Sequence, residues 1–84
     1  MDDQQIQTEI ERLEDRQRQL RHREGDLAEQ PEAVAPLRNE LEKIRVELDQ
    51  LWDLQRQRRA LRDSGGNPDD ASSRDADTVE GYLS

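Results

Sequence analysis

The fold is decided by residues 37–51, LRNELEKIRVELDQL, in which aliphatic side chains recur at steps of four, three, four and three residues. Such alternating steps put the side chains on one face of an α-helix and are typical of helices that pair in coiled coils. The stretch therefore predicts a long helix with an apolar seam. The seam consists of Leu37, Leu41, Ile44, Leu48 and Leu51.

The two ends of this second helix are marked by helix-breaking residues. The sequence Ser-Gly-Gly-Asn-Pro at 64–68 predicts that the helix ends near Asp63. At the other end, proline is tolerated only in the first turn of a helix, so Pro31 and Pro36 offer two possible starts. We place a short turn at 31–35 and the helix at 36–62.

An earlier segment, residues 2–24, predicts the first helix. Its apolar residues follow the same kind of stripe, interrupted by Gln17, and they are Ile6, Ile10, Leu13, Leu20 and Leu27. Asp2 followed by Gln5 three residues later suits a capping box. Gly25 is placed to end the helix with a left-handed cap.

Charge and register both favour antiparallel pairing of the two helices. Each helix is acidic in its first half and basic in its second half, so antiparallel pairing sets acid beside base at both ends. One register sets Leu20 opposite Leu37, Leu13 opposite Ile44 and residue 6 opposite residue 51. We therefore predict an all-α protein, a two-helix hairpin of coiled-coil type over residues 1–62 with an acidic, mostly irregular tail at 63–84.

Composition excludes several classes of protein. The chain has 84 residues, of which 30% are hydrophobic, 2% aromatic and 40% charged, with a net charge of −8 and no cysteine. A β-sandwich, a β-barrel or an α/β enzyme needs more β-branched and aromatic surface, and thiolate metal sites and disulfides need cysteine. The apolar runs are too short to span a membrane, and the acidic start does not look like a signal peptide, so we expect a cytoplasmic protein without membrane contact.

The hairpin has more apolar surface than two helices bury. Val34 and Trp52 lie on one shoulder of the second seam, and Leu54 and Leu61 lie on the other. A two-helix unit is also marginally stable, so we expect dimerisation into a four-helix bundle, or binding to a larger protein partner. The predicted interface residues are Leu41, Leu48, Leu51, Trp52 and Leu54.

Residues for catalysis or metal binding are scarce. His22 lies in a basic run with no evident orienting partner, which is typical of a solvated surface histidine. Asp49 and Asp53 share a helix face, but carboxylates at that spacing beside arginines are usually ion-paired or solvated. We predict no catalytic residue, no metal and no cofactor, and therefore a protein that is not an enzyme.

An arginine cluster at the end of the second helix has two interpretations. One is charge compensation, in which the arginines contact the acidic tail or an acidic partner. The alternative is a nucleic-acid-associated regulator whose arginines are masked by the tail, although the net charge of −8 opposes it. The residues assigned to tail or partner contact are Arg56, Arg58, Arg59, Arg62 and Tyr82.

Several short motifs resemble those of a family of short actinobacterial proteins known as a domain of unknown function. The motifs are Leu48-Asp49-Gln50, Trp52-Asp53-Leu54, Arg56-Gln57-Arg58-Arg59-Ala60, Asn67-Pro68-Asp69 and Val79-Glu80-Gly81-Tyr82. The resemblance implies no enzyme activity, cofactor or substrate. It does imply that the tail docks in a defined place through residues 79–83. We expect a small adaptor or regulatory protein that acts through protein–protein contacts.

Overall fold

The computed structural model describes residues 1–72, which form two long helices and a short return segment. Helix α1 is Asp3–Asp26, helix α2 is Pro31–Asp63, and a 3-10 helix follows at Pro68–Asp70. The helices α1 and α2 contact each other, and the 3-10 helix packs on α2. The predicted all-α hairpin is confirmed, whereas the predicted docking of residues 79–83 lies outside the described residues.

Helix α1 begins with the capping box that the sequence predicts. The Asp2 carboxylate accepts a hydrogen bond from the Gln5 backbone N–H at 2.7 Å, and the Gln5 side-chain oxygen accepts one from the Asp2 N–H at 2.8 Å. Two donors at the helix start are thereby satisfied, which fixes where α1 begins.

The predicted left-handed cap at Gly25 is wrong. Helix α1 runs through Gly25 to Asp26, and the C-cap residue Leu27 has an ordinary negative φ of −105°. The Leu27 N–H donates to the Arg23 carbonyl at 3.0 Å, and the Gln30 N–H donates to the Leu27 carbonyl at 2.8 Å. Because these turn hydrogen bonds satisfy carbonyls at the helix end, no left-handed residue is needed there.

Helix α2 begins at Pro31 and not at Pro36, so the predicted turn at 31–35 is wrong. Pro31 occupies the first turn, where a missing N–H costs no helical hydrogen bond. Pro36 lies inside the helix and removes the bond that its N–H would donate to the carbonyl of Glu32. Since Glu32 is exposed, water can hydrate that carbonyl, and the helix continues through the proline.

The core is a single apolar cluster between the two helices. Half of it comes from each helix, and its buried members are Ile6, Ile10, Leu13, Leu20, Leu37, Ile44, Leu48 and Leu54. Leu41 and Leu51 pack only at the edge of this cluster, although the predicted seam includes both.

At the open end of the hairpin, Leu54 is buried, whereas Leu51 is half-buried. The predicted register sets Asp3 opposite Leu54, whereas Asp3 bonds with Arg58. Position 58 lies about one helical turn beyond position 54. At this end, α1 therefore meets a later part of α2 than the sequence predicts.

Neither helix within residues 1–72 combines the length and the apolarity needed to cross a membrane.

Candidate functional site

The predicted interface residues separate into buried and accessible groups. Leu48 and Leu54 are 1% and 6% exposed, because both lie in the core between α1 and α2. They are structural residues, and their assignment to an intermolecular interface is wrong. Leu41 and Leu51 are half-buried, and Trp52 remains 38% exposed.

The surplus of apolar surface is smaller than the sequence suggests. Val34 is buried, and Leu61 is half-buried beside Gly66. Trp52 is the one large apolar side chain exposed in the described helices. Homodimerisation stays a prediction, and Trp52 now carries most of the apolar surface on which it rests.

Four charged residues at the open end of the hairpin form a network that we term the arginine clasp: Asp3, Arg58, Arg62 and Asp69. The Arg58 guanidinium donates from Nε to Asp3 at 2.6 Å and from Nη1 to Asp69 at 3.1 Å, and Arg62 also donates to Asp3. The Arg58 side chain is only 9% exposed. The arginine clasp therefore links the start of α1, the end of α2 and the 3-10 helix.

The arginine clasp favours the charged forms of its members. The hydrogen bond from Arg58, with the nearby charges of Arg62 and Arg58, lowers the pKa of Asp3 despite some desolvation. The hydrogen bond to Asp3 in turn raises the pKa of Arg58, and Asp69 adds to the effect. A carboxylate with a lowered pKa and a guanidinium with a raised one are poor proton-transfer groups near neutral pH.

Residues 67–72 are fixed on α2 by a second set of hydrogen bonds. The Gln57 amide nitrogen donates at 2.8 Å both to the buried Asp53 carboxylate and to the Ser72 carbonyl. The Asn67 side chain accepts from the Asp69 N–H at 3.0 Å, which caps the 3-10 helix. Ala71 packs against the core cluster. The first part of the acidic tail is thus docked on the arginine end of α2.

Sequence reasoning missed the structural roles of Asp53 and Gln57. Their separation of four residues on one helix face is the pattern that could have revealed the hydrogen bond between them. Asn-Pro-Asp is likewise a sequence suited to a capped turn. Arg58 does contact the tail, as predicted, whereas Arg62 contacts Asp3 of α1.

The remaining predicted arginines lie beside Trp52. Trp52, Arg56 and Arg59 are spaced by four and three residues, so they share one face of α2, which we term the Trp–Arg face. Arg56 is exposed, with one guanidinium nitrogen 3.6 Å from Asp53. Arg59 is exposed and has no hydrogen bond or ion pair with any residue in the described part of the chain. Tyr82 lies outside the described residues.

Candidate metal and catalytic groups are dispersed over the surface. Within residues 1–72, no three histidine or acidic side chains come close enough to hold a metal ion. His22 is exposed on α1, with Nε2 3.6 Å from Asp26 in the next turn. Asp49 and Asp53 are instead engaged with arginine and glutamine side chains of their own helix.

Comparison with known proteins finds relatives of unknown function. The chain is 53% identical over 65 residues to the uncharacterised protein Rv0898c of Mycobacterium tuberculosis H37Rv, and the same match is found with Mb0922c of Mycobacterium bovis. The match covers 77% of this chain and 67% of each relative. No solved structure matches the chain. A model of the family DUF2630, described as a protein of unknown function, matches residues 2–84. The chain therefore belongs to the DUF2630 family, which confirms the resemblance seen in its motifs.

Proposed function

We propose that the protein is a non-enzymatic adaptor or regulatory subunit that binds a protein partner through the Trp–Arg face. The observation that carries this proposal is the exposure of Trp52, since the other large apolar residues of the helical hairpin are buried or half-buried. Tryptophan and arginine are the residue types most enriched among side chains that dominate binding energy at protein interfaces.

The use of polar groups within the fold supports binding over catalysis. Arg58, Asp3, Gln57 and Asp53 bond to one another and to residues 67–72. These contacts stabilise the tertiary structure, and the adjoining Trp–Arg face is exposed to solvent.

The proposal is tested by comparing partners of the wild-type chain with those of Trp52→Ala. Tagged proteins are recovered from cells that produce the native chain, and co-purified proteins are quantified by mass spectrometry. We expect Trp52→Ala to lose a defined set of partners, while His22→Ala, which alters the distant exposed face of α1, retains them. Identical partner sets for both variants and the wild type would contradict the proposal.

The nucleic-acid alternative has one observation in its favour, namely that Asp69 in the tail neutralises Arg58. If the tail masks a nucleic-acid site, Asp69→Asn should strengthen binding to duplex DNA, and added salt should weaken that binding steeply. The protein-partner interpretation is favoured because Arg58 and Arg62 already pair with carboxylates and Arg56 lies 3.6 Å from Asp53, which leaves few arginines for phosphate contacts. If Asp69→Asn binds duplex DNA at low salt no more strongly than the wild type does, the nucleic-acid alternative is contradicted.

A further inference from the structure

We propose that the Trp–Arg face docks an acidic helical segment of a partner protein, in which two carboxylates one helical turn apart follow or precede an aliphatic side chain by one further turn. This inference rests on the proposed function and specifies the chemistry of the partner.

All three side chains of the Trp–Arg face donate hydrogen bonds and none accepts them. The indole of Trp52 has one N–H donor, and the guanidinium groups of Arg56 and Arg59 have five donors each. Arg59 has no acceptor among residues 1–72, and the contact between Arg56 and Asp53 is 3.6 Å long. A ligand that supplies negatively charged acceptors is therefore complementary to this face, and carboxylates bind arginine in a bidentate manner.

The positive charge of the Trp–Arg face is local. Arg58 and Arg62, on the same end of α2, are already neutralised by Asp3 and Asp69. The chain as a whole carries a net charge of −8. Because charges are screened over about 8 Å at physiological ionic strength, an acidic segment is attracted at short range to exposed arginines such as Arg59, which has no carboxylate partner among residues 1–72, and Arg56, whose contact with Asp53 is long. Arg21 and Arg23 of α1 are exposed as well, but no exposed large apolar side chain lies beside them, so the combination of arginines with Trp52 favours docking at the Trp–Arg face.

The spacing of the Trp–Arg face fits a short segment. Trp52 and Arg59 are seven residues apart, which corresponds to about 10 Å along the helix axis. Two carboxylates separated by one turn of a partner helix lie about 5 to 6 Å apart. They can reach Arg56 and Arg59, which are also one turn apart, while an aliphatic side chain one turn further along the partner helix covers the indole of Trp52.

A second copy of this chain is a poorer occupant. A two-fold contact through Trp52 places the same surface of both copies together, and the Trp–Arg face brings arginines but no carboxylate of its own to that contact. The outer face of α1 offers no exposed large apolar side chain after Met1, and its acidic residues pair locally, as in Gln7 with Glu11 and Arg18 with Asp15. Nucleic acid is also disfavoured, because two arginines neutralise few phosphates on so acidic a protein.

The test uses the full chain and the fluorescence of Trp52, which is the only tryptophan. The probe is a synthetic helical peptide with two glutamates one turn apart and a leucine one further turn along the same face. The comparison ligands are the same peptide with lysine in place of glutamate, and single-stranded oligothymidine. We expect a saturable change with the glutamate peptide that weakens as salt is added, and no saturable change with the other two ligands.

The charge-reversing variants Arg56→Glu and Arg59→Glu should each weaken binding of the glutamate peptide about tenfold or more. Arg21→Glu is the matched control, because it makes the same charge change at an exposed position of α1 and should bind as the wild type does. Circular dichroism checks that all variants are equally helical. Equal binding by Arg59→Glu and wild type, or preference for the lysine peptide or the oligonucleotide, would overturn the inference.

The inference and the proposed function fail separately. If Trp52→Ala loses native partners while Arg56→Glu and Arg59→Glu retain them, the face binds proteins but not through acidic chemistry. If Trp52→Ala loses none, the proposed function itself fails.

Discussion

The two helices of the hairpin differ in how many of their faces make tertiary contacts. Helix α1 buries one stripe of apolar residues, and its outer face pairs locally. Helix α2 buries an apolar stripe and also three polar residues, Asp49, Asp53 and Arg58. Asp53 is five residues from Leu48 and thus about 140° around the helix from it. Helix α2 is therefore the central element of the fold, with α1 packed on one side of it and residues 67–72 packed on another.

The C-terminal ends of α1 and α2 also differ in the backbone conformation that follows each helix. Helix α1 ends at Leu27 without a left-handed residue, whereas α2 is followed by Gly65 with a φ of +80°. The chain reverses after Gly65, and Gly66 packs beside Leu61 as residues 67–72 return onto α2. The conformation at Gly65 therefore serves the second contact surface of α2, a surface that α1 does not have.

Truncating a core side chain between the two helices should have the largest effect on the free energy of unfolding. Leu48→Ala deletes a fully buried side chain, so we expect a loss of about 2 to 5 kcal/mol in the free energy of unfolding. Urea unfolding followed by far-ultraviolet circular dichroism measures it. Leu41→Ala, at the half-buried edge of the core, should cost less. Equal costs would break the assignment of Leu48 to the hairpin core.

Removing the arginine clasp should affect mainly the second surface of α2. Arg58→Ala removes the contacts to Asp3, Asp69 and the Pro68 carbonyl, so we expect a smaller loss of stability than for Leu48→Ala. The amide protons of Asp70 and Ala71 should lose protection from hydrogen exchange. Arg59→Ala, on the exposed Trp–Arg face, should change the stability by no more than about 0.5 kcal/mol. Unaltered exchange at both amides in Arg58→Ala would contradict the role of the clasp.

The stability of the protein should respond with opposite signs to substitution of Gly25, in the last turn of α1, and of Gly65, after α2. Gly65→Ala forces a side chain into a left-handed conformation and should cost about 1 to 2 kcal/mol. Gly25→Ala places a methyl group in open space within α1 and should stabilise the protein by about 0.5 to 1 kcal/mol. Thermal unfolding of both variants measures the two effects. If Gly25→Ala instead destabilises the protein, the result would support the left-handed cap that the sequence predicts.

The smallest expected effect is the pH dependence of the contact between Asp3 and the arginines. Folding lowers the pKa of Asp3 below its ordinary value of 3.8, so its stabilising contribution is present above that value and is lost as the pH falls through the lower, folded-state pKa. The difference in urea midpoint between wild type and Asp3→Asn should be constant above about pH 5 and should shrink in acid. A difference that grows in acid would contradict the direction of the shift.

Much of the hairpin follows from local patterns. The stripes of Ile6, Leu13, Ile44 and Leu48 require helices, and the Asp2 capping box requires only residues close in the chain. The start of α2 was mispredicted because either proline is compatible with a first turn, and Pro36 is tolerated where its unpaired carbonyl partner is exposed. No rule of local sequence distinguishes these two possibilities.

The candidate site was predicted in part. Trp52 was identified as an interface residue, and its exposure is in keeping with that role. Leu54 is predicted as an interface residue, whereas the packing of residues far apart in the chain places it in the core cluster. Arg56 and Arg59 could not be separated from Arg58 and Arg62 in sequence, since all four have the same chemistry.

By itself the sequence determined that this protein is helical, that its two helices run antiparallel and that acidic residues are concentrated in the tail. The helices follow from the periodicity of apolar side chains over a few residues, and the antiparallel direction follows from the sign of the charge on each half of a helix. The tertiary structure alone decided that Arg58 is buried in contacts with Asp3 and Asp69, and that Arg56 and Arg59 are exposed beside Trp52. The physical reason is that pairing depends on distances of about 3 Å between residues far apart in the chain, and small shifts in register reassign every such pair.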